Sequence, residues 1–272
     1  MNLVREPQVA GMFYPSNKKK LKDQIGGFYS EVETNDKIKN VGGIIAPHAG
    51  YIYSGKTAAY AYKTILNGNY DTVIVISPSH REYFRRVSIF DGDAYKTPLG
   101  KIPINTELRN KLIKENDLIY EGKEGHRAEH ALEVQLPFLQ IALPNFRLLP
   151  LVIGDQSREV VFELADILAG IIDDKTLLVA SSDLSHFYTK SHASALDSRV
   201  VEHINNFDFE NLQTDLETKR CEACGGGGIV TILKALSLKG YTKSKVVAHS
   251  DSGDVTGDDS EVVGYLSAII YN

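Results

Sequence analysis

At 272 residues, with 43% hydrophobic and 24% charged side chains, the chain is long enough to bury a substantial core and has an ordinary globular balance. Its net charge of -5 leaves no basic excess to displace counterions from phosphate, which argues against nucleic acid as a partner. There is no apolar run of membrane-spanning length, no signal-peptide core, and only two closely spaced cysteines, so a cytoplasmic, reducing location and no membrane contact are expected.

The Lys18–Lys20 cluster reads as a solvated face. Beyond it, short β-branched runs that end in turn chemistry alternate with helical patterns. A strand over Val41–Ala46 leads to a helix capped by Ser54 and running through Leu66. Strands follow at Thr72–Ser77 and Val87–Phe90, then a helix capped by Asn105 and running through Ile113. Ala128–Ala142 reads as an amphipathic helix with Leu132, Leu136 and Leu139 on one face. A strand over Leu148–Ile153, a helix over Ser157–Ile171, a strand over Leu177–Ser181 and helices over Ser191–Phe207 and Ile229–Leu238 come next. Lys245–His249 and Val262–Tyr271 are the closing strands, with a flexible acidic loop from His249 to Asp259 between them. No repeat or long linker interrupts the chain, which predicts one domain over residues 1–272. The alternation predicts a layered α/β fold, with a largely parallel or mixed central sheet flanked by helices.

Four predicted strands run into a histidine at or just past their carboxyl ends: His48, His80, His186 and His249. That edge is where open α/β sheets bind ligands. Pro47 and Pro78 restrict the backbone just ahead of His48 and His80, which suits rigidly held metal ligands. Turn histidines bonded to nearby carbonyls would carry the same pattern. In SSDLSHF, Asp183 and His186 can form an acid/base pair or complete a coordination sphere; equally, Asp183 can cap a turn above a packed His186. Cys221 and Cys224 form a lone C-x-x-C, a weak zinc signal. Cys224 precedes the Gly225–Gly228 run at a predicted helix start, where the dipole favours a thiolate and backbone amides can approach an anion; an inert buried cysteine is the alternative. His126, Glu129, His130 and Glu133 do not match the H-E-x-x-H zinc motif; most of the set reads as the solvated side of the predicted helix, with a supporting or pocket-wall role open to His130 and Glu133. No P-loop, dinucleotide fingerprint, nucleophile elbow or calcium loop appears.

Taken in order, REPQVAGMFYPS, APHAGYIYSG, ISPSH, TPLG, EHALEVQLPFL, SSDLSHF and CGGGGI resemble the Memo family almost from end to end. The resemblance implies a fold similar to the class III, protocatechuate-4,5-dioxygenase-type extradiol dioxygenases, non-haem Fe(II) enzymes that open catechol rings. It implies that His48 and His80 are metal ligands and that Cys224 stands where those enzymes carry a glutamate ligand. Asp183 and His186 match further site residues, His186 in an acid/base role. The implied cofactor is iron or copper, and a His/His/Cys set also accepts zinc. Two functions follow from the resemblance. One is a metal-dependent oxidoreductase; the other is a non-catalytic module whose cleft binds a phosphopeptide or a small anionic or aromatic ligand. The oligomeric state is not written in the sequence.

Overall fold

Continuous apolar runs need cover on both faces. Val41–Ala46, Thr72–Pro78 and Thr176–Ser181 have it, each being buried along its whole length. The computed structural model describes residues 3–33 and 38–272, and among these nine strands form one mixed sheet. Its centre is four parallel strands, in the order Val41–Ala46, Thr176–Ser181, Thr72–Pro78 and Arg147–Ile153. Val262–Tyr271 pairs antiparallel with Val41–Ala46, and Lys243–Asp251 and His186–Tyr188 both pair with it. On the opposite edge Val87–Phe90 runs antiparallel to Arg147–Ile153, with Ile119–Gly122 outside it. A small second sheet joins Val4–Arg5, Ala94–Thr97 and Gly100–Pro103.

The two-residue period of the strands divides the core into two layers. Ile44, Val73, Val75, Leu177 and Val179 face one way, onto Leu21, Ile25, Ala58 and Tyr62 of helices Lys18–Glu31 and Tyr51–Lys63. Ile45, Ile74, Ile76, Leu178 and Ala180 face the other way, onto Val161, Leu164, Ile229 and Leu233 of helices Arg158–Ala169 and Gly226–Leu238. With both faces covered, the parallel strands leave their carboxyl ends as the place where loops meet. None of the described helices is long and apolar enough to cross a membrane.

Several element boundaries differ from the sequence reading, each for a local reason. The helix after His48 starts at Tyr51 with Gly50 at its N-cap; Tyr51 N donates to Phe13 O, and the Ser54 hydroxyl instead donates to Ala49 O. Asn105 does cap its helix, accepting from Leu108 N at 3.1 Å, and the helix spans Thr106–Glu115. Ala128–Ala142 is not one helix. The Glu129 carboxylate draws in the amides of His130 and Ala131, so the chain stays irregular until the 3-10 turn Glu133–Gln135; the helix Leu136–Ala142 then starts with Pro137 in its first turn, where a missing amide costs nothing. The Gly225–Gly228 run is partly helical, because Gly226–Leu238 begins inside it. The acidic loop carries regular structure: the strand reaches Asp251, Gly253–Thr256 form a helical turn, and Lys190 bridges Asp251, Asp254 and Asp259.

Candidate metal centre

His48 lies two residues past the Val41–Ala46 strand and is buried. Its turn is pinned by the neighbouring strand end: Asp183 Oδ1 accepts from His48 N at 2.7 Å and Ala49 N at 3.3 Å. The same stretch receives the cysteine. Cys224 N donates to Asp183 O at 3.1 Å, while Asp183 N donates to Cys224 Sγ at 3.2 Å. Gly225 allows this approach, since a Cβ there would sit 2.1 Å from Ser181 O. Cys224 Sγ thereby lies 3.2 Å from His48 Nε2. His80, on the turn after Thr72–Pro78, completes the group, and His48, His80 and Cys224 each offer a donor atom within 4.8 Å of the others.

The hydrogen bonds fix which ring nitrogen of His48 is free. Ser181 has a single hydroxyl proton, which it gives to Ala131 O at 2.7 Å. Its oxygen accepts from Gln135 Nε2 at 2.7 Å, an amide oriented by Tyr62 Oη on Oε1 and by Pro47 O on Nε2. His48 Nδ1, 2.9 Å from Ser181 Oγ, therefore donates as well, and Nε2 keeps a lone pair towards Cys224. His80 is ordered similarly by Glu129, whose Oε1 takes Nδ1 at 2.9 Å and whose Oε2 takes the backbone N at 2.6 Å. Glu129 Oε1 also lies 3.2 Å from His130 Nδ1. The three imidazoles of His48, His80 and His130 form a cluster with ring centroids 4.9 to 5.4 Å apart.

Charge follows this arrangement. Burial, reinforced by His80 and His130, holds the His48 pKa well below the ordinary imidazole value, so the ring is neutral. Burial pushes the Glu129 carboxyl upward, but the hydrogen bonds from His130 and His80 outweigh it and keep it ionised well below the usual range. Burial and the Asp183 carboxylate raise the Cys224 thiol above its ordinary value, and burial raises Asp183. This overturns the helix-dipole expectation of a thiolate at Cys224: without a cation the sulfur keeps its proton. A half-buried thiol facing the lone pair of a neutral imidazole, with the other nitrogens of two histidines held by a hydroxyl and a carboxylate, is a donor set that fits a soft or borderline metal ion.

The remaining predicted residues distribute as follows. His186 borders a groove of about 410 Å³ that is also lined by Cys224, Gln156, Leu184 and Glu222. Among the described residues no hydrogen bond joins it to Asp183, whose Oδ1 serves the His48 turn instead. His249 does not join the cluster; it faces the buried Asp197 at 3.5 Å. His126 is a core residue bonded to Tyr95 Oη and Ser88 O, and burial pulls its pKa down to about 3. Cys221 is buried, and burial pushes its thiol up to about 12. The amides of Gly225, Gly226 and Gly227 already donate to Ser182, Ala223 and Gln156, which takes them from an incoming anion. Sequence reasoning missed Ser181 and Gln135, set Glu129 on a solvated helix side, and allowed His130 a pocket-wall role without placing it beside His80. The first serine of SSDLSH and the E-H pair of EHALEVQ were the available signals.

The family model described as "Memo-like protein" matches residues 5–269. A MEMO1 family protein of Thermoplasma volcanium is 37% identical over 268 residues, covering 98% of each chain. One from Methanosarcina mazei is 35% identical over 271 residues, covering 98% of this chain and 99% of its own. The crystal structure of an uncharacterized Escherichia coli protein aligns with TM-score 0.56 at 16% identity, over 84% of this chain and 98% of that one, a likeness of fold. With the family model and these full-length relatives in agreement, the chain belongs to the Memo-like family.

Proposed function

We propose that the strand-end cleft binds a redox-active metal, iron or copper, through His48, His80 and Cys224, and that the protein is a metal-dependent oxidoreductase. The observation that carries this reading is the ordering of the two imidazoles. Each has Nδ1 engaged by a fixed partner, Ser181 or Glu129, so each keeps Nε2 as the nitrogen able to donate a lone pair. Zinc accepts the same donors, but the neighbouring thiol favours ions softer than calcium or magnesium. A bound redox ion would supply Lewis acidity and electron transfer. The chain's own contribution is to hold that donor set in place, with His48 buried and His80 open to solvent, and to line the adjoining groove. In this reading His186 moves protons for a small substrate in the groove beside Cys224, and Asp183 keeps the His48 turn in place.

Protein loaded anaerobically with Fe(II) and then given a panel of catechols in air should consume dioxygen in an oxygen electrode. His186→Ala should slow that uptake by about 100-fold, the scale of a lost proton-transfer group, while keeping its iron. Equal uptake by metal-loaded and metal-free protein would remove the oxidoreductase reading.

A further inference from the structure

The N-terminal segment carries one of the most deeply buried ion pairs of the described residues, and it lies against the loop that orders His80. Arg5 and Glu133 side chains are 5% and 0% exposed and meet at 2.6 Å. Burying both charges is costly unless every remaining donor and acceptor is used, and here they are used on one irregular stretch. Arg5 Nε donates to His126 O, and Nη2 donates to Glu129 O at 2.6 Å and to Arg127 O at 3.4 Å. Three carbonyls of one non-helical stretch, residues 126–129, are thus held by a single planar fork, which a lysine could not reproduce. Glu133 gathers the other side: Oε2 accepts from Gln8 N at 2.8 Å, and Oε1 accepts from Val9 N at 3.0 Å and Tyr14 Oη at 2.6 Å.

Both ends of this lock lead to the metal centre. Glu129, whose carbonyl Arg5 holds, places His80 and His130 with its carboxylate. The segment held by Glu133 lays Phe13 against the His130 ring, with centroids 4.8 Å apart. Phe13 O in turn accepts from Tyr51 N at 2.8 Å, at the start of the helix that follows the His48 turn. The strap formed by residues 5–14 therefore ties the His80 loop to the His48 loop.

We propose that Arg5 and Glu133 are positioning residues of the metal centre, setting the angle and spacing of His80 relative to His48 through Glu129 and through the Phe13 strap. The inference rests on the metal-binding reading above. It separates a geometric role from plain stabilisation, since a stabilising ion pair alone would leave the site of the folded protein unaltered.

The test uses Co(II) as the probe, with the full chain, following its visible absorption bands during titration and the melting of the metal-free protein. Arg5→Lys keeps the charge opposite Glu133 but loses the fork. It should weaken Co(II) binding by about 10-fold, the lower end for a partner outside the ligand set, and shift the band maxima. Tyr14→Phe, which removes one bond to Glu133 and little else, should give a smaller weakening and a shift of the same sign, and it carries the test if Arg5→Lys fails to fold. Wild-type affinity and spectrum in every variant that folds would overturn the positioning role while leaving the metal reading intact. Absence of any Co(II) band in the wild-type protein would overturn both.

Discussion

Cys224→Ser should lower metal affinity by more than about 100-fold, beyond the roughly 10- to 100-fold range for partners that only orient a ligand. The sulfur is a proposed direct ligand, and its thiol lies 3.2 Å from His48 Nε2. Serine retains the small size needed beside Ser182 and the Asp183 amide but offers a hard oxygen that stays protonated at neutral pH. The metal-free fold should survive, because the reciprocal backbone bond between Cys224 N and Asp183 O does not involve the side chain. Titration with Co(II), read by absorption in the range where thiolate-to-metal charge transfer occurs, checks it. A variant that binds Co(II) as tightly as the wild type and keeps the charge-transfer band would remove Cys224 from the ligand set.

The second large effect is on stability of the metal-free protein against acid. His48 and His126 are both buried neutral, with pKa values lowered by burial, His126 to about 3. A histidine with a depressed folded pKa binds fewer protons folded than unfolded. Its contribution is therefore present above the unfolded value near 6.5 and is lost as pH falls below it. Between pH 7 and 5 His126 should cost about 2 kcal/mol, from about 1.4 kcal/mol per pH unit once past that value, and His48 should add a loss of the same sign. Asp183 acts in the opposite sense: its raised pKa favours the folded state below the ordinary carboxylate value and loses that advantage as pH rises, so it returns part of the loss on acidification. Glu129, held low, becomes a liability only below the ordinary carboxylate range. Urea denaturation in the presence of a chelator should show a net fall in stability from pH 7 to pH 5. Constant or rising stability over that interval would mean that these two rings are not held neutral.

Much of the layout was readable before any coordinates. The parallel core strands announce themselves because they are buried on both faces and so lack polar interruptions. Asn105 was legible as a cap because its side chain bonds the third residue beyond it, a relation confined to neighbouring positions. That His48, His80 and Cys224 lie together was legible because strand ends and turn residues mark them. What escaped the reading depends on long-range partners. Gly50 replaces Ser54 at the helix start because Phe13, far away in sequence, supplies the acceptor for Tyr51 N. Glu129 breaks the helical pattern of Ala128–Ala142 because its carboxylate is wanted by His80, 49 residues earlier. His249 shares the strand-end pattern, yet Asp197 claims it. The dipole argument for a Cys224 thiolate failed for a related reason: local sequence places the cysteine near a helix start, but only the fold sets the half-buried sulfur beside the Asp183 carboxyl.

His48, His80 and Cys224 are proposed to hold one metal ion. The most direct measurement is elemental analysis of protein purified anaerobically without chelator, then dialysed against Fe(II) or Cu, for the wild type and His48→Ala side by side. About one redox metal per wild-type chain and next to none in the variant is expected, with both proteins folded by circular dichroism. A wild-type chain that retains no metal, or a variant that retains as much as the wild type, would contradict it.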